Sequence, residues 1–565
     1  MKQIIFLRNI ILFRKNYLTV TIAKILQYIF NFLHGAINTI IMKNFKAIFI
    51  LSLVSLILIT CTRFEAVRDP YTLYVHISAE PGHLNPITSN EAIASSINSY
   101  IYETLLDRDY DTLELKPQLA ERWEISPDKL HYRFYLKKNI FWSDGKPFTA
   151  DDIVYSFKVI KDPNVANAPL KVYYIDVKSV KKISPYVVEF TYAKPYFLAL
   201  EICGSIPVVP KHIFDDGTDF NTHKNNRYPI GTGPYKFVSW NTGKTIELVM
   251  NDSYWGKKPD IKRIVYKIIA EPNVALQMLK KGELDVMALR PIQWVRQTNS
   301  KHFQESFYKF MYYQPYYNYI GWNARNPLFK DKNVRKALTM LINRQAILDS
   351  LLFGLGTVVT GPFYIHDKYY NHDIKPLPYD PVKAKEILQK AGWKDTNGDG
   401  LLDKNGVAFK FTLTIASASK FAERLATILK EDFAKVGIQM DINRYEWAVF
   451  VNKVDKRDFD AVTLGWSLSW EGDPYQLWHS SQVKAGSNFC YFINSEADDI
   501  IEKARKEFDV EKRIKMYRRF HEIIHDEQPY TFLYCTPALV VVSKRFDNVI
   551  VHKRGLNYTE WKVKQ

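Results

Sequence analysis

The sequence predicts an α/β fold. Runs of alternating apolar and polar residues, the period of a half-buried strand, are interleaved with segments of helical period along the whole chain. The chain has 565 residues, enough for two or three domains. No low-complexity linker and no repeat of fixed period interrupts it, so its lobes must be joined by ordinary crossover strands. Aromatic residues make up 15% of the sequence, a share that suits either a wide aromatic-lined cleft or a large mixed core.

The elements follow in order. Residues 1–41 carry five basic residues and no acidic one, and are read as an upstream extension ahead of a natural start at Met42. "MKNFKAIFILSLVSLILITC" then places Lys43 and Lys46 before an apolar run from Ala47 to Ile59, the charged and apolar parts of a secretory signal spanning 42–61. The run is shorter than the roughly 20 residues of a membrane span. Its end, Leu58-Ile59-Thr60-Cys61, resembles a bacterial lipobox, with Cys61 as the lipidated residue. Thr60 departs from the smaller residue usual there, and a plain signal anchor is the alternative.

Without the first 61 residues the chain keeps 70 basic and 60 acidic residues. The positive charges are scattered, which excludes a nucleic-acid footprint and reads as surface character. Cys203, Cys490 and Cys535 are widely spaced and fit neither a disulfide framework nor a zinc site.

"YTLYVHIS" alternates Leu73, Val75 and Ile77 with polar positions, and "LHYRFYLKK" does the same with Tyr132, Phe134 and Leu136; both predict strands. "DPVKAKEILQKAGW" predicts a helix with Asp380 as N-cap, Pro381 in the first turn and Gly392 as its stop. "DKNVRKALTMLINRQAILDSLL" predicts a second, long helical segment.

Five stretches in fixed order carry a resemblance. They are "KPQLAERWEISPDKLHYRFYLKKNIFWSDGKPFTADDIVYSF", "GTGPYKFVSW", "NYIGWNARNPLFKDKNVRKALTMLINR", "AKEILQKAGWKDTNGDGLLDKNG" and "GWSLSWEGDPYQLWHSSQ". Together they resemble the extracellular solute-binding proteins of peptide-type ABC importers, over nearly all of the chain past Cys61. The resemblance implies a bilobed clamshell with an extra subdomain in the first lobe. It places the first lobe at 62–310 plus 531–565 and the second at 311–530. It also implies a lipid-anchored monomer of the cell envelope that captures an oligopeptide, hands it to membrane permease subunits and uses no cofactor.

"HEIIH", with His521, Glu522 and His525, has the spacing of a zinc peptidase, the one enzyme reading the sequence offers. On a helical wheel Met516, Tyr517, Phe520, Ile523 and Ile524 form the apolar arc, and both histidines fall on its flank. The positions where a third ligand would stand hold Gln528 and Thr531, so the motif reads as scaffold with exposed histidines. "DTNGDGLLDKNG" places Asp395, Asn397, Asp399 and Asp403 like calcium ligands, but Gly406 stands where a bidentate Glu is required, and a tight turn is expected. "GTGPYK", from Gly231, lacks phosphate-loop spacing and predicts a turn into a strand.

The resemblance puts the ligand at "GWSLSWEGDPYQLWHSSQ". Peptide-binding relatives carry a carboxylate three residues past the Trp, where this chain has Ser469. Glu471 is then the expected partner of a peptide ammonium, with Asp473 either assisting or capping a helix at Pro474. Trp466 is a candidate wall. His83 and Leu84 of "EPGHLNP" match a loop that touches ligand in the family. An oligosaccharide in the same fold is the alternative ligand, since a neutral sugar needs no buried carboxylate.

Overall fold

A computed structural model describes residues 68–484 and 486–564, together with Lys24, Ile25 and Gln27. The predicted signal and Cys61 lie outside the described residues.

Three sheets organise the chain from Pro70 onward. The first lobe is built on a mixed seven-stranded sheet. In spatial order its strands are Phe307–Tyr312, Ala538–Ser543, Val286–Ala288, Thr72–Ile77, Arg263–Ile268, Thr245–Met250 and Tyr235–Asn241. The expected strand at 72–77 is present and runs parallel to Arg263–Ile268, with Val75 beside Tyr266. Its inner face, Leu73, Val75 and Ile77, packs into one core, while Val541 and Met287 pack into another on the opposite face. Ala538–Ser543 is covered on both sides, which explains its unbroken apolar run.

The inserted subdomain carries a four-stranded antiparallel sheet in the order Ala120–Ile125, His131–Leu136, Val187–Tyr192, Val177–Ser184. Tyr132, Phe134 and Leu136 point into its core as predicted.

The second lobe has a five-stranded sheet in the order Gln439–Tyr445, Lys410–Ala416, Ala461–Ser467, Tyr316–Trp322, Tyr530–Phe532. The chain enters this lobe between Tyr312 and Tyr316. It leaves only after Tyr534–Cys535, because Tyr530–Phe532 still pairs with Tyr316–Trp322 and Tyr534–Cys535 with Thr357–Val358. The return crossing therefore lies past the expected boundary at residue 530.

The helix Pro381–Lys390 has the expected ends: Asp380 Oδ1 accepts the Lys383 N–H at 2.9 Å, and Gly392 takes a left-handed φ of +92°. The long segment at 331–352 is two helices, Lys332–Met340 and Arg344–Leu352. Asn343 breaks it by accepting the Ala346 N–H as a new N-cap. The calcium-like loop is closed on itself: Asp395 accepts N–H groups from Gly398 and Gly400, and Asp403 accepts from Thr396.

The histidine expectation is corrected. His521, on the helix Val510–Glu527, is fully buried. Its Nδ1 accepts the Asn371 N–H at 3.1 Å, so its Nε2 carries the proton and faces Thr360 Oγ1 at 3.0 Å. A wheel shows only the helix; the loop 360–371 covers the flank that the wheel leaves open. Gly361 permits this, since a Cβ there would stand 2.0 Å from His521 Nε2. His525 is partly buried with Nδ1 near Thr360 O. Both nitrogens of His521 are thus committed to protein partners, and among the described residues no group of three acidic, His or Cys side chains is placed to hold a metal.

Candidate ligand-binding site

A cavity of 1270 Å³ separates the segment Ser89–Ser95 of the first lobe from the second-lobe sheet. Its floor is the C-terminal half of the strand Ala461–Ser467. That strand pairs with Tyr316–Trp322 along its full length, but with Lys410–Ala416 only at Ala461 and Val462. Leu468 donates its N–H to Pro315 O, which fixes the alternation. Leu464 and Trp466 then turn their backbone groups toward Tyr316–Trp322, and Gly465 and Ser467 turn theirs the other way. Among the described residues no strand pairs with that second edge beyond Val462. Gly465 is required here: a Cβ would stand 2.1 Å from the Tyr316 hydroxyl lying over the strand.

Trp466 lines this cavity and also packs on a core, stacked on Phe489 with centroids 5.8 Å apart and on Tyr319 at 6.4 Å. Ser469 is exposed on the wall. Asp473 lines the cavity too, but its carboxylate is engaged. Oδ2 accepts from Tyr196 at 2.7 Å and Arg505 at 3.1 Å, and Oδ1 accepts the Tyr475 N–H at 3.0 Å. The helix it precedes begins at Tyr475.

The structure places Glu471 outside the cavity lining, in an ion network of its own lobe. Lys368 Nζ lies 2.9 Å away, Arg513 Nη2 3.4 Å, and the Tyr369 hydroxyl donates to Oε1. Burial pushes its carboxyl up, but these donors and cations outweigh it and hold Glu471 below the usual range. An acid already facing two cations is poorly suited to receive a third. Leu84 is sealed in the first-lobe core, and His83 turns Nδ1 to the Asn85 N–H, so neither reaches the cavity.

Sequence reasoning missed Asp367, Asp455, Glu91 and Trp447, which all line the cavity. Asp367 belongs to the loop that His521 holds at both ends, so the helix motif acts on the site through that loop. Burial raises the Asp367 carboxyl to about 6, against a hydrogen bond from the Tyr369 N–H and with the Glu471 charge adding to the rise. Trp447 alone had a legible signal, an exposed aromatic on the outer face of an amphipathic helix.

The profile of the bacterial extracellular solute-binding proteins, family 5 Middle, matches residues 114–488. This chain belongs to that family. Within it, the chain is 34% identical over 502 residues to the oligopeptide-binding protein AppA of Bacillus subtilis (strain 168), covering 86% of this chain and 91% of the relative. Its fold superposes on that protein in complex with a nonapeptide with a TM-score of 0.79 at 33% identity, over 87% of this chain and 99% of the other. It also superposes on NikZ from Campylobacter jejuni in complex with Ni(L-His), with a TM-score of 0.76 at 28% identity, over 87% and 100%. This family 5 protein therefore has the bilobed clamshell of its relatives, and its cavity occupies the cleft between the lobes.

Proposed function

We propose that this chain captures oligopeptides for an ABC importer, closing its lobes about a hinge and delivering the ligand to membrane permease subunits, without catalysis. One observation carries the reading: a 1270 Å³ cleft whose floor is a strand edge that no described strand pairs at Gly465 and Ser467. An extended peptide can add to such an edge through main-chain hydrogen bonds, which are the same for every sequence, while its side chains occupy the remaining volume. The cleft exceeds the roughly 300–1,000 Å³ typical of small-molecule sites. The nonapeptide bound by the relative of similar fold supports the same ligand class. Closure is favoured because ligand contacts on both lobes exist only in the closed state.

The anchor is Cys61. No described helix is long and apolar enough to cross a membrane, and lipidation would hold the protein beside its permease at the cell envelope. Intact-mass measurement of membrane-extracted protein should find a polypeptide beginning at Cys61 with acyl chains; a product beginning elsewhere refutes the anchor.

An oligosaccharide is the second reading, favoured by Trp447, an exposed ring on the cleft wall. Mass spectrometry of ligand co-purified in the cleft separates the two. Recovered peptides support the proposal, and recovered sugars refute it.

A further inference from the structure

The cleft walls carry charge of one sign. Glu91, Asp367, Asp455 and Asp473 line the cavity, and among the described lining residues there is no Lys, Arg or His. The chain as a whole has a formal charge of +17, so the acidity is local to the cleft.

The four acids are not equally engaged. Asp473 is neutralised by Arg505, and Glu91 accepts the Gly82 N–H at 3.0 Å. Asp367 accepts the Tyr369 N–H at 3.2 Å and has no ion-pair partner among the described residues. The adjacent Lys368 turns instead to Glu471. Asp455 likewise has no ion-pair partner among the described residues, because Arg457 donates to the backbone oxygens of Asp455, Val483 and Gly486. Burial raises the Asp367 carboxyl, and partial burial raises that of the more exposed Asp455 against the charge of nearby Arg457. An arriving cation would offset that cost, and a second anion would add to it.

We propose that the cleft selects cationic peptides, Lys- or Arg-bearing chains, with Asp367 and Asp455 as the receiving carboxylates. The ligand's own carboxylate end meets no protein cation and projects to solvent. This rests on the peptide reading above. Low-dielectric walls of one sign focus the field and favour ligands of the opposite charge.

The test is calorimetric titration of the purified full chain with Ala-Lys-Ala-Lys-Ala, Ala-Gln-Ala-Gln-Ala and Ala-Glu-Ala-Glu-Ala, plus the first with an amidated C-terminus. The Lys peptide should bind at least about tenfold tighter than the Gln peptide and about 100-fold tighter than the Glu peptide. Amidation should change its affinity by less than about threefold, since it removes a charge that the protein does not meet. Asp367→Asn with Asp455→Asn should bring the Lys-to-Gln ratio within about threefold. Folding of the variant is read from its thermal midpoint; if it does not fold, the wild-type ratios and the amidation result decide. Equal binding of Lys and Glu peptides, or a large loss on amidation, overturns the charge selectivity alone. Failure of every peptide to bind overturns the peptide reading and the selectivity with it.

Discussion

Tyr196 donates its hydroxyl to Asp473 Oδ2 across 2.7 Å, joining the inserted subdomain to the cleft wall of the second lobe. Arg505 reaches the same oxygen at 3.1 Å and stacks on the Tyr196 ring at 4.5 Å. Beside them the Phe197 N–H donates to Arg505 O. The cleft acid thus also fixes where the subdomain sits.

Two substitutions separate the parts of this junction. Tyr196→Phe removes one hydrogen bond and leaves Asp473 with Arg505, so it should cost about 1 kcal/mol. Asp473→Ala leaves an Arg505 side chain that is 11% exposed without its close partner, and should cost about 3 kcal/mol. Urea denaturation of both variants is the check. Equal losses would mean that the ion pair is not what holds the junction.

Glu471 should act on stability and not on ligand charge. Glu471→Gln leaves Arg513, 5% exposed, facing a neutral amide, at a cost of about 2 kcal/mol. N-acetylation of a test peptide should weaken wild type and this variant by the same factor, measured by titration. A smaller acetylation effect in the variant would restore Glu471 as the ammonium partner.

His521→Ala should be costly. It empties a packed site and leaves the Asn371 N–H without its partner, while the Thr360 hydroxyl keeps Tyr370, a loss of about 3 kcal/mol by denaturation. Burial pushes the His521 pKa down to about 3. The folded state therefore resists a proton that the unfolded chain accepts below about 6.5. The stabilisation is complete above pH 6.5 and is lost as pH falls toward 3, on the order of 5 kcal/mol. Midpoints measured from pH 7.5 to 4.5 should fall less steeply in the variant.

Glu103 should impose the opposite slope. Burial raises its carboxyl to about 7, against hydrogen bonds from Trp255 and Tyr254 at 2.9 Å each. The folded state then holds a proton that the unfolded chain releases above about 4.5. Stability falls as pH rises from 4.5 to 7, by on the order of 3 kcal/mol. Glu103→Gln loses an acceptor for the Trp255 indole, so its absolute midpoint drops. The decline between pH 5 and 8 should nevertheless flatten, and an unchanged slope would count against the buried acid.

Local features were legible where one element determines them. The alternation at 72–77 and the Asp380 cap each depend on neighbours in sequence. Glu471, Asp367 and His521 were not legible, because each is decided by a segment remote in the chain. Lys368 and Arg513 draw Glu471 out of the cleft wall, and the loop 360–371 buries a histidine that a helical wheel leaves at the surface. The motif "HEIIH" was visible, but its role, pinning the loop that carries Asp367, required both ends of that loop in place.

The return crossing past Cys535 bears on the order in which the protein is made. The second-lobe sheet is complete once residue 535 has been synthesised, whereas the first-lobe sheet awaits Ala538–Ser543, the strand seated between Phe307–Tyr312 and Val286–Ala288. Arg545 then pairs with Asp285 at 2.7 Å and reaches the Pro70 carbonyl, joining the end of the polypeptide to its beginning. A nascent chain stalled before Ala538 should hold a finished second lobe beside a first lobe with an open sheet edge. The edge left open is that of Val286–Ala288 and Phe307–Tyr312, which only Ala538–Ser543 joins, whereas Thr72–Ile77 already has both its neighbours, Arg263–Ile268 and Val286–Ala288, once residue 288 is made.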